Sequence, residues 1–338
     1  MKLAIQIPCF NEEAYLPATL AALPREVPGF DEVILVVVDD GSTDATSEVA
    51  RGLGVQHVVR APVNQGLARA FAAGLEQCLR LGADVIVNTD ADNQYPGAAI
   101  ADLVAPILAG EADIVIGNRN PGRLRHFSPA KRMLQRLGSW VVRRLSGTNI
   151  PDAASGFRAF SRDAAIRLNV VTDFTYTLET LIQAGKKQLS VAHVDIEVNA
   201  ETRPSRLFSG NSHYVARSIA TIIRVYSLYE PMRVFTLLGC GLLIGGGFLG
   251  LRFVADYLVD GGAGHIQSLI LAAVLLLAGF QTILIGLLAD LIGSSRRMLE
   301  EALLRVRRLE LAAGTEDPET PPDRKGAQGP AAAADDAA

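Results

Sequence analysis

Cysteine is scarce in this chain. Cys9, Cys78 and Cys240 are the only three among 338 residues, they lie far apart, and none stands in a CxxC pair. That spacing excludes a disulfide framework and a cysteine zinc site, and it fits reduced thiols in a cytosol-facing protein. A surplus of one charge sign is also missing. Lys and Arg number 32 against 36 Asp and Glu, a net charge of -4, which gives no electrostatic reason to expect a nucleic-acid partner. The N-terminal MKLAIQIPCFNEE turns acidic too soon for a signal peptide and reads as a first strand.

Apolar residues are plentiful, at 49% of the chain, and the excess is concentrated in the last third. A length of 338 residues allows one large domain or two smaller ones. Up to about residue 120, short apolar runs alternate with helical patterns. LAIQIP (3–8), EVILVVV (32–38), VQHVV (55–59), DVIVN (84–88) and DIVIG (113–117) are rich in Val and Ile and nearly continuous, as strands buried on both faces of a parallel sheet are. Stretches 13–23, 43–53, 65–81 and 96–109 have helical spacing, so the expected architecture is an α/β sandwich. Ligands of such sheets bind beyond the carboxyl ends of the strands. The polar loops PCFNE, DDGSTD and TDADNQ all fall at such ends.

In TDADNQYPG, Asp90 and Asp92 flank a single residue after a strand, with Gln94 two further on. Hard divalent cations take oxygen ligands and bridge carboxylates to phosphates, so this turn can hold Mg²⁺ or Mn²⁺ on a diphosphate. As a bare pattern it is equally an ordinary polar loop; its place beside two other polar loops is what favours the metal. Pro8 is expected to fix the turn of PCFNEE, where Asn11 and Glu12 offer hydrogen bonds. Asp39 and Asp40 end the second strand, Ser42 can cap the next helix, and capping suffices to explain Thr43 and Asp44. A carboxylate such as Glu12 or Asp40 can accept from a base N–H or from ribose hydroxyls. None of these loops is a GxGxxG or a GxxxxGK[ST], so neither a dinucleotide fold nor a P-loop is indicated.

Two segments are basic and amphipathic. In SPAKRMLQRLGSWVVRRLS (128–146), Met133, Leu134, Leu137, Trp140, Val141 and Leu145 share one helical face and Lys131, Arg132, Arg136, Arg143 and Arg144 carry charge. A second lies within 211–232. Both read as membrane-surface helices that would meet lipid headgroups, against the plainer alternative of a helix packed on the sheet. Two uncharged runs follow, VFTLLGCGLLIGGGFLGL (234–251) and IQSLILAAVLLLAGFQTILIGLLA (266–289). Each suits a bilayer crossing, and the glycines of the first suit close helix packing. The expected division is a cytosolic domain over 1–210, an interface helix 211–232, spans 233–254 and 266–292 joined by an external loop 255–265, a basic cytosolic helix 293–312 and a disordered tail 313–338. Arg224 and Arg233 before the pair, and Arg296, Arg297, Arg305, Arg307 and Arg308 after it, put both ends in the cytosol. Glycine-rich spans also suit assembly of several copies.

PCFNEE, VVDDGSTDAT, the NQG of 64–66, TDADNQYPG, GNR (117–119) and SGFR (155–158) occur in this order. The set resembles the family 2 glycosyltransferases over residues 1 to about 210, and more narrowly the polyprenyl-phosphate sugar transferases. The resemblance implies a GT-A fold, a mostly parallel sheet sandwiched by helices. It implies that Pro8, Asn11, Glu12, Asp40 and Asp90 serve the nucleotide, and that Asp90, Asp92 and Gln94 hold Mg²⁺ or Mn²⁺. Arg119, Arg158, Arg203 and Arg206 would serve phosphates, and Ser205 would keep the serine of the family's Gly-x-Ser-Lys stretch at the catalytic site with Asp92. Arg206 stands where the family often has Lys. The implied donor is a nucleotide-diphosphate sugar, the acceptor a polyprenyl phosphate in the inner membrane, and the outcome an inverted anomeric carbon. Alternatives are a family 2 transferase with a glycolipid or polysaccharide acceptor, and a membrane-anchored nucleotide-sugar scaffold without turnover. A transporter built on the hairpin is disfavoured, because the spans carry charge only near their ends, at Arg252 and Asp290.

Overall fold

A computed structural model describes residues 1–119, 140, 143–144, 147–148, 150–170, 176–199, 227, 230–260 and 266–313. Seven strands form one sheet in the order β3-β2-β1-β4-β6-β5-β7. They are β1 Lys2–Cys9, β2 Glu32–Asp39, β3 His57–Arg60, β4 Val85–Asn88, β5 Ile114–Asn118, β6 Arg158–Ser161 and β7 Val191–Asp195. The first five match the five apolar runs of the sequence. All pairings are parallel except those of β6, which runs antiparallel between β4 and β5.

Each strand feeds two cores, one on each face, through its period of two. Leu3, Ile5 and Ile7 of β1 with Val85 and Val87 of β4 pack on one face against Leu16 and Leu20 of helix α1 (Leu16–Ala22) and Ile100 and Leu103 of α4 (Ile100–Leu108). Ala4, Val36, Val38 and Ile86 pack on the other against Phe71, Leu75 and Cys78 of α3 (Leu67–Arg80). That second core also takes Ala164 and Ala165 of α5 (Arg162–Arg167) and Leu181 of α6 (Tyr176–Lys186). Helix α2 (Thr46–Gly52) leads toward β3. Burial on both faces is why these strands read as continuous apolar runs rather than alternating ones.

Two long helices follow, α7 (Pro231–Asp260) and α8 (Ile266–Ala313), both long and apolar enough to cross a membrane. They pack on each other at Gly239 and Gly279, where a methyl group on either would lie 2.8 or 2.9 Å from the other's carbonyl oxygen. Small residues at the contact are what the first span's glycines led one to expect. Away from the contact, apolar side chains such as Leu237, Leu258 and Ile292 face outward, at 78%, 78% and 70% exposure.

Residues 266–292, expected as a span, and 293–312, expected as a basic helix, belong to one helix, since α8 runs unbroken through 48 residues. At 1.5 Å per residue it is roughly 72 Å long, against ~30 Å for a hydrocarbon core. Its C-terminal part docks on the α/β domain. Arg307 pairs with Glu76 of α3 at 2.7 Å, Arg308 with Asp163 of α5 at 2.9 Å, and Lys187 with Glu300 at 3.5 Å. Of segment 128–146, the described Trp140, Arg143 and Arg144 are helical and exposed. The rest of that segment, most of 211–232 and all of 314–338 lie outside the described residues.

Candidate active site

The carboxyl ends of β1, β2, β4 and β5 lie along one edge of the sheet. Because β6 is antiparallel, its starting residue Arg158 sits at the same edge, opposite Asn88 and Ile116. The loop 152–157 therefore joins the three loops expected from sequence.

The loops after β1 and β2 are stitched together. Asn11 takes φ of +55° and donates its N–H to Ser42 Oγ at 2.9 Å, while its Oδ1 accepts from the Thr43 N–H at 2.8 Å. The Glu12 N–H donates to Thr46 Oγ1 at 2.8 Å. Two expectations change here. Pro8 is inside β1, so the turn is made by Asn11, a residue type that tolerates positive φ. A proline fits at that point because the β4 ladder has already ended at the Gln6–Asn88 pair. Ser42 receives the Asn11 N–H instead of capping α2, and Asp44 Oδ1 accepts from the Thr46 N–H at 3.1 Å.

Asp39 and Asp40 are both buried and both anchored. Asp39 Oδ1 accepts from the Ser42 N–H at 2.8 Å. The two oxygens of Asp40 accept from the N–H groups of Gln65 and Gly66, each at 2.8 Å, and so hold the NQG loop at the start of α3. Beside it Gly41, at φ +72°, has the Val63–Asn64 backbone within 2.8 Å of where a Cβ would stand.

The TDAD turn is fixed by its neighbours. Thr19 Oγ1 donates to Ala91 O at 2.7 Å, and Asp92 Oδ1 accepts from the Gln94 N–H at 3.2 Å. The Asn199 N–H donates to Gln94 O at 2.9 Å. Asp90 and Asp92 are half-buried. Among the described residues no third acid, histidine or cysteine completes a metal cluster with them. The donors at hand are hard oxygens of two carboxylates and an amide. That set fits Mg²⁺ or Mn²⁺ with the remaining positions taken by phosphate and water oxygens.

Arg119 lies at the end of β5, with its side chain 17% exposed. Asp152, 2% exposed, grips its guanidinium at two points, Nε to Oδ2 at 2.7 Å and Nη2 to Oδ1 at 3.0 Å. Burial works against the charge, but Tyr95 and Asp152 outweigh it and raise the Arg119 pKa above its ordinary value.

Arg158 has a different setting from the one expected. It is fully buried, and its guanidinium is spent on protein oxygens: Ser155 O, Ala153 O, Thr177 O and Thr180 Oγ1, all at 2.8 Å. It ties the 152–157 loop to α6 and presents nothing to the surface. Arg203, Ser205 and Arg206 lie outside the described residues. Residues that the sequence reading passed over complete the site. Asp152 holds Arg119, and Asn88, Tyr95 and Tyr176 hold Gly156. Asn88 had a signal, a polar side chain closing a fully buried strand.

The sequence model of Glycosyl transferase family 2 matches residues 4–168. An undecaprenyl-phosphate mannosyltransferase from Micrococcus luteus is 32% identical over 206 residues, covering 59% of this chain and 83% of that protein. A prophage bactoprenol glucosyl transferase homolog from Escherichia coli K12 is 27% identical over 305 residues, 87% of this chain and 94% of that one, an extent that reaches into the C-terminal helices. A Mycobacterium tuberculosis glucosyl-3-phosphoglycerate synthase, in complex with Mn²⁺, UDP-glucose and phosphoglyceric acid, shares the fold. Its TM-score is 0.50 at 24% identity, over 65% of this chain and 79% of that chain. Taken with the ordered loops at one sheet edge, these likenesses show that the chain belongs to glycosyl transferase family 2.

Proposed function

We propose that this glycosyltransferase moves a sugar from a nucleotide-diphosphate sugar to a polyprenyl phosphate at the cytosolic face of the membrane, with inversion. The observation that carries the reading is a juxtaposition. The Asp90–Asp92 turn shares a sheet edge with Glu12, Asp40 and Arg119, in a domain to which the membrane-length helix α8 is ionically docked. The names of the Micrococcus and Escherichia relatives support a polyprenyl acceptor.

Pro8, Asn11, Glu12 and Asp40 would border the nucleoside. Asp90, Asp92 and Gln94 would hold Mg²⁺ or Mn²⁺, which when bound neutralises charge developing on the leaving diphosphate. Arg119, with Arg203, Ser205 and Arg206, would orient the acceptor phosphate and offset repulsion between the two phosphate groups. A phosphate monoester with a second pKa of about 6 is already ionised near neutral pH. One of its oxygens attacks the anomeric carbon as the bond to the nucleoside diphosphate breaks. The electron pair leaves with the diphosphate, and no general base is required. Direct attack from the opposite face inverts the centre.

The Arg flanks of the helix pair support cytosolic termini and an external 255–265 loop. Outward apolar side chains on α7 and α8 support a multi-pass anchor in contact with lipid, and contact between copies through these helices is compatible with it. The test is transfer of labelled sugar from a panel of UDP- and GDP-sugars to undecaprenyl phosphate, diacylglycerol or an oligosaccharide, with the full-length protein in detergent. Label in the polyprenyl-phosphate product, with inverted anomeric configuration, is expected. Transfer only to another acceptor would replace this reading with a different family 2 activity. Nucleotide binding without transfer to any would leave a scaffold.

A further inference from the structure

The neighbourhood of Asp90 contains two buried side chains whose roles the reaction has not absorbed, Arg158 and Tyr176. Asp90 lies against Gly156: a Cβ placed on that glycine would be 3.0 Å from Asp90 Oδ1 and 3.2 Å from Oδ2. The position of Gly156 therefore limits where the carboxylate can stand.

Gly156 is held on both sides of its peptide. Its N–H donates to the Tyr95 hydroxyl at 3.2 Å, and its carbonyl accepts from Asn88 Nδ2 at 2.8 Å and from the Tyr176 hydroxyl at 3.3 Å. The same Asn88 amide donates to the Tyr176 oxygen at 2.9 Å. The Tyr176 ring cannot swing, because it is 1% exposed and stacked on Phe71 with centroids 3.9 Å apart and planes within 7°.

Arg158 fixes both ends of this arrangement. Through Ala153 O and Ser155 O it holds the chain leading into Gly156, and through Thr177 O and Thr180 Oγ1 it holds the helix that begins at Tyr176. Its guanidinium carbon also lies 6.0 Å from the centre of the Tyr176 ring. A buried cation is costly unless its hydrogen bonds are met, and here they are met by oxygens of the two segments that carry Gly156 and Tyr176.

We propose that Arg158 and Tyr176 are positioning residues: together they seat Gly156, and through it set the Asp90 carboxylate for its metal. The inference rests on the reading that Asp90 holds the metal. Residues behind a metal ligand commonly change metal affinity by about 10–100-fold when altered.

The experiment is a Mn²⁺ titration followed by electron paramagnetic resonance. It uses the full-length, detergent-solubilised protein in the presence of UDP or GDP, and compares wild type, Y176F, R158K and D90N. Y176F keeps the stacked ring and removes only the hydroxyl; it decides the matter if R158K does not fold. Half-saturating Mn²⁺ is expected to rise about tenfold in Y176F and at least as much in a folded R158K, with metal-free nucleotide affinity unchanged. Wild-type Mn²⁺ affinity in folded Y176F overturns the positioning role while leaving the metal at Asp90 intact. Wild-type affinity in D90N removes the metal reading, and this inference with it.

Discussion

Asp152 and Arg119 form a two-point ion pair, 2.7 and 3.0 Å long, with the carboxylate 2% exposed and the guanidinium side chain 17% exposed. The pair fixes the plane of an arginine that stands at the end of β5 with part of its surface open. Removing one partner of such a pair leaves the other buried and uncompensated, at a cost of about 3 kcal/mol. Asp152→Ala is expected to lower the thermal midpoint of the full-length protein by roughly 6–12 °C, at about 2–4 °C per kcal/mol for a domain this size. Transfer should fall with it. A melting curve and an initial rate on one preparation check this; an unchanged midpoint would mean that Asp152 does not hold Arg119 in solution.

Gly156→Ala tests the close packing beside Asp90. The added methyl would lie 3.0 Å from both Asp90 Oδ1 and the Tyr176 hydroxyl, closer than ordinary contact. Overpacking of this kind costs typically about 1–3 kcal/mol, and here the displaced atom is a site carboxylate. Activity is expected to fall further than stability does. The ratio of residual rate to folded fraction measures that difference, and loss of both in step would refute it.

Asp40→Asn separates loop holding from substrate contact. Both oxygens now accept backbone N–H groups at 2.8 Å, and the amide keeps only one acceptor. One of the two partly buried bonds is lost, at about 1 kcal/mol. A lowered midpoint together with a raised donor KM is the expected pair of results. A lowered midpoint with an unchanged KM would confine Asp40 to the NQG loop.

Burial also governs the thiols. It pushes the Cys78 pKa up to about 12 and the Cys9 pKa well above its ordinary value, so both stay as unreactive thiols through the neutral range. Native protein treated with a maleimide at pH 8 should show no modification at either residue by mass spectrometry. Both should label once the protein is unfolded; native labelling of Cys78 would contradict the core described around α3.

Much of this was legible in the sequence, for identifiable reasons. The strands of the first half declare themselves because burial on two faces demands unbroken Val and Ile, as in EVILVVV. The loops at their ends declare themselves as polar residues directly after such runs. RAFS did not read as a strand, since four residues opening on a buried arginine carry no apolar run. The family resemblance implies a phosphate role for the same arginine, because a role carried over by position cannot tell a buried cation that binds carbonyls from an exposed one that binds anions. Polarity changes near residue 293, which is why the sequence suggests a division there. A change in side-chain polarity does not break backbone hydrogen bonds, and no proline interrupts α8.

That a metal-holding Asp90–Asp92 turn drives sugar transfer to a polyprenyl phosphate is the proposal on which the roles of Arg119 and Gly156 depend. Its most direct test measures label passing from the active nucleotide-diphosphate sugar into undecaprenyl phosphate, with the full-length enzyme before chelation, after chelation and after Mg²⁺ or Mn²⁺ is restored, beside Asp92→Ala. Wild-type transfer is expected to be abolished by chelator and restored by metal, and Asp92→Ala is expected to lose at least about a hundredfold in a way that metal does not repair, the scale of losing one electrostatic stabiliser of the transition state. Wild-type rates in the presence of chelator, or in Asp92→Ala, would contradict it.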